Sequence, residues 1–160
     1  MAELADIKQN NFIPQKRAIH DCVDTGADFA LLDSVAVLFP CNCATRDYKS
    51  TDKTFWDKNN NLIKDTIDNA EMRVKIKAVL NGAANDICKL SIYIPHPTLG
   101  NIPVDEIEWV LYKNNIDTQF TGYFLLYNST DGDAKTHGFK VAIESNGDMI
   151  MKNRSILITS

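Results

Sequence analysis

The sequence lacks a long apolar run, a block of basic residues and a signal sequence, and each absence excludes a class of protein. No apolar stretch approaches the roughly 20 residues that a membrane-spanning helix needs. The net charge of −4, without a basic cluster, argues against nucleic-acid binding. The opening residues, MAELADIKQNNF, have no apolar core and do not resemble a secretory signal. We therefore expect a protein made in a reducing cytoplasm, with neither nucleic acid nor membrane as a partner.

Recognisable catalytic motifs are also missing from the sequence. The chain has three histidines, His20, His96 and His137, but no HxH, HExxH or GxSxG motif and no glycine-rich phosphate loop. His20 has Asp21 and Asp24 nearby in the sequence, but no nucleophile is indicated. His96 lies between two prolines and is typical of a rigid turn. We predict that the protein is not an enzyme.

Neither a metal ion nor another cofactor is predicted. The four cysteines are Cys22, Cys41, Cys43 and Cys88. Structural zinc sites usually separate paired thiolates by about two or more residues, whereas the Cys-Asn-Cys pair has a single residue between them. We expect buried or incidental thiols, with a metal site or a disulfide as the alternatives. The Asp-Gly-Asp turn at 131–133 lacks the further oxygen ligands of a calcium loop.

Alternation of apolar and polar residues, the pattern of half-buried strands, dominates the rest of the chain. MRVKIKAVL, at 72–80, and ICKLSIYI, at 87–94, alternate and predict a hairpin through Asn81-Gly82, whose residues tolerate positive φ. Similar runs, rich in aromatic and β-branched residues, occur at 105–115, 117–128, 137–145 and 148–160. The last two are predicted to pair through Asn146-Gly147. Seven or eight such strands without alternating helices predict an all-β, antiparallel jelly-roll β-sandwich over residues 17–160.

Two segments do not alternate clearly. ADFALLDSVAVLFP, at 27–40, has the alanine and leucine content of a helix, but Pro40 and the β-branched residues favour a buried strand at 35–39. NNLIKDTIDNAEM, at 60–72, has apolar residues at helical spacing and is compatible with a long loop or a short helix. The polar stretch between them contains Phe55 and Trp56, which indicate either a functional loop or an aromatic pair that anchors the loop to the sandwich.

The chain ends on consecutive apolar residues, Ile156, Leu157 and Ile158, although chain ends are usually polar. Consecutive residues of a strand point to opposite faces, so both faces of the last strand have apolar side chains. In a two-layer sandwich one face of a strand meets the core and the other meets water. Covering the second face therefore requires another subunit.

The stretch HGFKVAIESNGDMIMKNRSILITS is similar to the closing hairpin of tumour-necrosis-factor-like (TNF-like) jelly rolls in bacteriophage virion proteins. RAIHDCVDTGADFALLDSVAVLF likewise resembles their first strand, loop and second strand. Chains of this family pack as trimers around a three-fold axis, with the last strand ending near the axis. The resemblance implies a homotrimer whose interface includes Ile156, Leu157 and Ile158.

The same resemblance implies a viral structural protein, assembled in the host cytoplasm, that decorates or cements a bacteriophage capsid or heads a short fibre. Its partner would be the major capsid protein or another protein of the virion. Residues 1–16 are polar apart from Phe12 and Ile13 and predict an extended N-terminal arm. These two apolar residues would anchor the arm to a neighbouring capsid subunit, and a disordered tail is the alternative.

A second function remains open on the sequence alone. The chain is compatible with a receptor- or glycan-binding head of a phage tail or fibre protein, using exposed aromatic residues such as Trp56, Tyr123 or Tyr127. The two functions differ in copy number, because a cement protein is present in hundreds of copies per particle and a receptor-binding head in a few.

Overall fold

The computed structural model of the protein describes residues 18–50, 55–65, 70–129 and 132–160. These residues form two antiparallel β-sheets packed as a sandwich, which confirms the predicted all-β fold. The arm predicted at 1–16, with Phe12 and Ile13, lies outside the described residues.

The strands follow one another with one short helix, α1 (Asp133–His137), between the tenth and eleventh strands. The strands are β1 (Ile19–Asp24), β2 (Phe29–Leu31), β3 (Val37–Leu38), β4 (Arg46–Lys49), β5 (Trp56–Asp57), β6 (Leu62–Ile63), β7 (Ala70–Asn81), β8 (Ile87–His96), β9 (Gly100–Val110), β10 (Thr118–Asn128), β11 (Phe139–Ser145) and β12 (Met149–Thr159). Among the described residues, no helix has the length and apolar character to cross a bilayer.

Each sheet has six strands. Five of them follow one another across the sheet as its main path, and the sixth is a short strand that pairs with one strand of that path. The first sheet has the order β10-β7-β12-β1-β4, with β2 beside β12. The second sheet has the order β5-β6-β11-β8-β9, with β3 beside β11. The last strand, β12, therefore lies between β7 and β1 in the interior of its sheet, which explains why the end of this chain is apolar rather than polar.

The two predicted hairpins are wrong, although the strands themselves are correct. β7 pairs with β10 and β12, whereas β8 pairs with β9 and β11 in the other sheet. β11 and β12 also lie in different sheets. The turns at Asn81-Gly82 and Asn146-Gly147 therefore carry the chain across the sandwich. Alternation requires only that each strand place its apolar side on the core, and a strand in either sheet satisfies this requirement.

The buried strand predicted at 35–39 is shorter than expected. β3 contains only Val37 and Leu38, while Val35 is 44% exposed in a turn where its N–H donates to the Leu32 carbonyl. No helix forms in this segment. In the segment left open at 60–72, Leu62 and Ile63 form β6, and residues 66–69 lie outside the described part of the chain.

The core fills the space between the inner faces of the two sheets. The inward residues of β7, predicted from the alternation, are all fully buried: Met72, Val74, Ile76, Ala78 and Leu80. Phe39, Phe55 and Trp56 are buried with them, so the aromatic pair anchors its loop to the sandwich. Burying a side chain of this size stabilises the fold by about 1.5 to 3 kcal/mol.

A β-bulge in β12 changes which residues of the last strand face the core. The register with β7 shifts within residues 152–155, where Asn153 has a positive φ of 46°. Met151 is buried before the bulge, whereas Ile156 and Ile158 are buried after it. The inward positions thus have odd numbers before the bulge and even numbers after it.

Candidate self-association surface

The outer face of the first sheet, which points away from the core, brings together side chains from all the strands on its main path. Tyr123 on β10 lies opposite Lys75 on β7, which lies opposite Leu157 on β12. Leu157 lies opposite Asp21 on β1, and Asp21 lies opposite Tyr48 on β4. Residues opposite one another on one face of a sheet are neighbours. Leu157 therefore lies at the centre of a row that crosses the whole sheet.

An apolar stripe runs along β10 on this outer face. It consists of Tyr123, Leu125 and Tyr127, whose exposed fractions are 64%, 63% and 57%. Between them Phe124 and Leu126 are buried, so β10 is apolar on both faces. A single exposed apolar residue is ordinary, but a contiguous patch marks an interaction surface. β10 thus has apolar side chains on both faces, as the last strand does.

The apolar stripe borders a shallow depression of about 430 Å³. Residues of β7, β10 and β12 line it, among them Lys75, Leu125 and Leu157. Leu157 is half-buried there, whereas Ile156 and Ile158 are buried in the core. Of the apolar residues at the chain end, Leu157 is the one that the fold presents on the outer face.

A basic row accompanies the apolar stripe. Arg73, Lys75 and Lys77 alternate along β7 on the outer face. The Lys75 Nζ lies 5.1 Å from the centre of the Tyr123 ring, within the range of a cation–π interaction. The Arg73 Nε donates to Glu71 Oε1 at 3.1 Å. The face therefore combines apolar side chains with positive charge.

An acidic edge lies on the second sheet. β9 lies at one edge of the path β5-β6-β11-β8-β9, and its Asp105, Glu106 and Glu108 are exposed. Charged side chains on an edge strand oppose pairing with the edge of another sheet. The acidic edge has the opposite charge to the basic row, and the connection 111–117 joins its strand to β10.

His20 is buried on β1 and both of its ring nitrogens have partners. Nδ1 accepts the backbone N–H of Trp56 at 3.0 Å, so Nε2 has the proton of the neutral ring and donates to Asp47 Oδ1 at 2.8 Å. Burial lowers the pKa of His20, while the bond to Asp47 acts in the opposite direction. A general base needs a free nitrogen facing the substrate, so this arrangement is structural rather than catalytic.

A second histidine cluster lies beside α1. The His96 and His137 ring centres are 5.1 Å apart, and His96 Nε2 is 3.6 Å from Asp133 Oδ1. The His96 Nδ1 accepts the backbone N–H groups of Thr98 and Leu99, as the rigid-turn prediction requires. A metal-binding histidine normally donates its other N–H, whereas the accepting Nδ1 leaves the proton of neutral His96 on Nε2. The cluster therefore does not suit a metal ion.

The expectation of free thiols is wrong for two cysteines. Cys22 on β1 and Cys43 form a disulfide, whereas Cys41 and Cys88 are buried thiols. Residues 22 and 43 become neighbours because the chain after β3 passes beside β1, which spacing in the sequence does not show. Trp56 lies here too, and its indole N–H donates to the Cys41 carbonyl at 2.9 Å.

A buried ion pair supports the bulged strand. The Arg154 Nη2 lies 2.9 Å from Asp24 Oδ2 and also donates to the Ala27 carbonyl at 3.0 Å. Burial acts to raise the pKa of Asp24, but hydrogen bonds from the Gly26 N–H and from Arg154 hold it below its ordinary value. No sequence signal identified Arg154 as buried, because the bulge alone places it on the inner face.

Of the aromatic residues considered for a receptor- or glycan-binding head, Trp56 is unsuitable because it is buried. Tyr123 and Tyr127 are exposed, but they belong to the apolar stripe. A sugar-binding function would therefore use the same surface as self-association.

Comparison with known proteins shows the fold. No family model and no curated protein matches the sequence. Among solved structures, the chain is similar to the PRD1 vertex protein P5, with a TM-score of 0.57 and 10% identity over 89% of this chain and 72% of that one. It is similar to the Eiger TNF from S. frugiperda, with a TM-score of 0.57 and 10% identity over 89% of this chain and 90% of that one. The fold is therefore a TNF-like jelly roll, as the sequence resemblance implied.

Proposed function

We propose that the protein is a structural component of a virion that self-associates as a homotrimer through the outer face of its first sheet. The observation that supports self-association most directly is the apolar stripe on β10, because the opposite face of the same strand already packs on the core. The likeness to a protein named as a PRD1 vertex protein supports the viral setting.

The charges indicate how the copies meet. In a cyclic trimer each contact joins two different surfaces, so one surface of a chain meets another surface of its neighbour. The basic row of one copy has its complement in the acidic edge of the next. The apolar stripe and Leu157 are then covered between the two copies. Each large apolar side chain that becomes fully buried stabilises the trimer by about 1.5 to 3 kcal/mol.

Within a virion, this trimer decorates or cements the capsid, or forms the head of a short fibre. The arm at 1–16 supplies the contact with the major capsid protein or another virion protein, through Phe12 and Ile13. The jelly-roll domain at 17–160 supplies the trimer. This division assigns self-association and attachment to separate parts of the chain, so they are separable by truncation.

A receptor- or glycan-binding head is the second candidate, and the exposure of Tyr123 and Tyr127 is the observation that favours it. The two functions require opposite states of these residues. A trimer buries the tyrosines between chains, whereas a binding head leaves them open to a ligand. Quantifying the chain in purified particles distinguishes the two, with hundreds of copies for a cement protein and a few for a head.

Light scattering after size-exclusion chromatography tests the trimer. We expect a mass three times the 18.0 kDa of one chain at micromolar concentration. A monomer mass under these conditions would refute self-association through the outer face.

A further inference from the structure

Three cysteines lie close together where the chain after β3 passes beside β1. Cys22 points inward from β1, and Cys41 and Cys43 follow β3 with one residue between them. The Sγ of Cys22 is bonded to Cys43 and also lies 3.2 Å from the Sγ of Cys41. Cys22 therefore has both a bonded sulfur and a thiol beside it. The fourth cysteine, Cys88, lies on β8 in the other sheet.

We propose that Cys41 exchanges with Cys43 as the disulfide partner of Cys22, which gives the oxidised chain two interchangeable disulfides and releases Cys43 as a thiol. Cys41 first loses its proton to water, and its thiolate attacks the Sγ of Cys22 to form the Cys22–Cys41 bond. The Cys22–Cys43 bond breaks, and its electron pair leaves with the Sγ of Cys43, which takes up a proton. One disulfide and one thiol remain, so the exchange needs neither an oxidant nor a reductant.

The contacts of Cys41 direct its thiol at Cys22. Two sulfur atoms form a disulfide at about 2.0 Å, so these two Sγ atoms have to approach by about 1 Å from their separation of 3.2 Å. The Cys41 thiol also lies 3.9 Å from the carbonyl oxygen of Cys22. The backbone of Cys41 is held in turn, because its carbonyl accepts the indole N–H of Trp56 at 2.9 Å. The attacking sulfur is thus already in contact with its target.

The position of Cys43 favours its release. Its φ is positive, at 58°, where the β-carbon of an ordinary residue crowds a neighbouring carbonyl oxygen. The bond to Cys22 is one of the constraints that hold this backbone in place. Cys43 is also 7% exposed, against 1% for Cys41, so the released sulfur lies nearer to solvent. Breaking the bond therefore frees a strained backbone and a thiol close to the surface.

Two titratable side chains face the sulfur of Cys43. A ring nitrogen of His20 and a carboxylate oxygen of Asp47 lie within 4.8 Å of it. The Nε2–H of His20 donates to Asp47 Oδ1 at 2.8 Å, and Nδ1 accepts the Trp56 N–H. Because both nitrogens of His20 are engaged, the Cys43 thiolate takes its proton from water.

The thiolate of Cys41 determines the rate of the exchange, because a neutral thiol does not attack a disulfide. Burial raises the pKa of the Cys41 thiol to about 11, and the Asp24 carboxylate acts in the same direction, whereas Arg154 opposes it. At pH 7 the thiolate is then present in about one molecule in 10⁴. The exchange is therefore slow near neutrality, and its rate should rise about tenfold with each pH unit up to about pH 11.

Alkylation of the oxidised full chain without a reductant tests the exchange. The protein is incubated with excess iodoacetamide at a series of pH values below 11. Cleavage before aspartates and after arginines then separates the Cys22 peptide from the one that contains Cys41 and Cys43, and mass spectrometry locates the label and the disulfide. We expect a labelled Cys43 together with a Cys22–Cys41 link, formed about ten times faster for each pH unit. Cys88→Ser, the matched control, is expected to behave as the wild type.

Two variants identify the attacking thiol. Cys41→Ser retains the Cys22–Cys43 disulfide, so circular dichroism can verify its fold, and its Cys43 is expected to stay unlabelled. Cys43→Ser, treated with oxidised glutathione, is expected to form the Cys22–Cys41 disulfide.

The proposal is overturned if Cys43 of the wild type stays unlabelled, or if Cys41→Ser is labelled there equally fast. It is also overturned if Cys43→Ser retains both thiols. Links to Cys88 that form at the same rate would show that the exchange takes place in the unfolded chain, and they would refute the local route as well.

Discussion

Aspartate substitutions at two neighbouring positions of β12 distinguish a residue of the core from a residue of the proposed interface. Ile158 is fully buried, so Ile158→Asp loses about 1.5 to 3 kcal/mol of burial and places a carboxyl in the core. We expect the free energy of unfolding to fall by at least about 4 kcal/mol, against a total of about 5 to 15 kcal/mol for an ordinary domain. This variant should therefore unfold at a much lower urea concentration than the wild type, and it should be unfolded without urea if the loss exceeds the stability of the domain.

Leu157→Asp should fail in a different way. Position 157 lies on the outer face between Lys75 and Asp21, where solvent reaches a carboxylate, so we expect the folded monomer to lose no more than about 1 kcal/mol. Because Leu157 is already half-buried in the single chain, the trimer adds only about half of the 1.5 to 3 kcal/mol of a full burial, or roughly 2 to 5 kcal/mol over three chains. The association constant should then fall by roughly two to three orders of magnitude.

Light scattering and urea unfolding together measure both effects. The wild-type unfolding midpoint should rise with protein concentration, whereas that of Leu157→Asp should not. Leu99→Asp is the matched control, because Leu99 is 71% exposed in the turn between β8 and β9 and should leave the trimer intact. If Leu157→Asp has the wild-type mass and melting temperature, the outer face is not an interface.

Three further predictions concern the ion pair, acid stability and the arm. Arg154→Met leaves Asp24 buried without its partner and should cost roughly 3 to 5 kcal/mol in urea unfolding, whereas exposed Lys113→Met should change stability by no more than about 0.5 kcal/mol. Because the folded pKa of His20 lies below its ordinary value of 6.5, the unfolded chain takes up the proton first as the pH falls. The free energy of unfolding should therefore decrease as the pH falls below about 6.5, and urea unfolding should show a smaller decrease for His20→Gln than for the wild type. Deleting residues 1–16 should leave a folded trimer that no longer sediments with virions, and undiminished co-sedimentation would contradict the arm as the anchor.

Strand positions were predictable from the sequence because burial on one face imposes a period of two residues. The alternation at 72–80 identified the inward residues of β7 from Met72 to Leu80. The partner of each strand was not predictable in the same way, since β7 and β8 place their apolar faces on one core from opposite sheets. A turn such as Asn81-Gly82 is equally compatible with a hairpin and with a crossing between sheets.

Contacts between segments that are distant in the sequence are the second feature that could not be predicted. Cys22 and Cys43 are joined, and Trp56 is buried over Cys41, because the segment after β3 passes beside β1. No local pattern encodes such a meeting. The apolar stripe, in contrast, had a visible signal: residues 123–127 are apolar at every position, as at the chain end. Consecutive apolar residues in a strand point to both faces of the sheet, so this run predicts an apolar stripe on the outer face of β10.

The bulge in β12 determines what the end of the chain presents to a partner. An uninterrupted alternation from Met151 would direct odd-numbered residues inward, placing Leu157 in the core and both isoleucines outside. The shift within 152–155 reverses this, so the two isoleucines fill the core and Leu157 alone remains outside. The same shift turns Arg154 inward toward Asp24. The buried ion pair and the outward leucine are therefore two consequences of one irregularity in the strand.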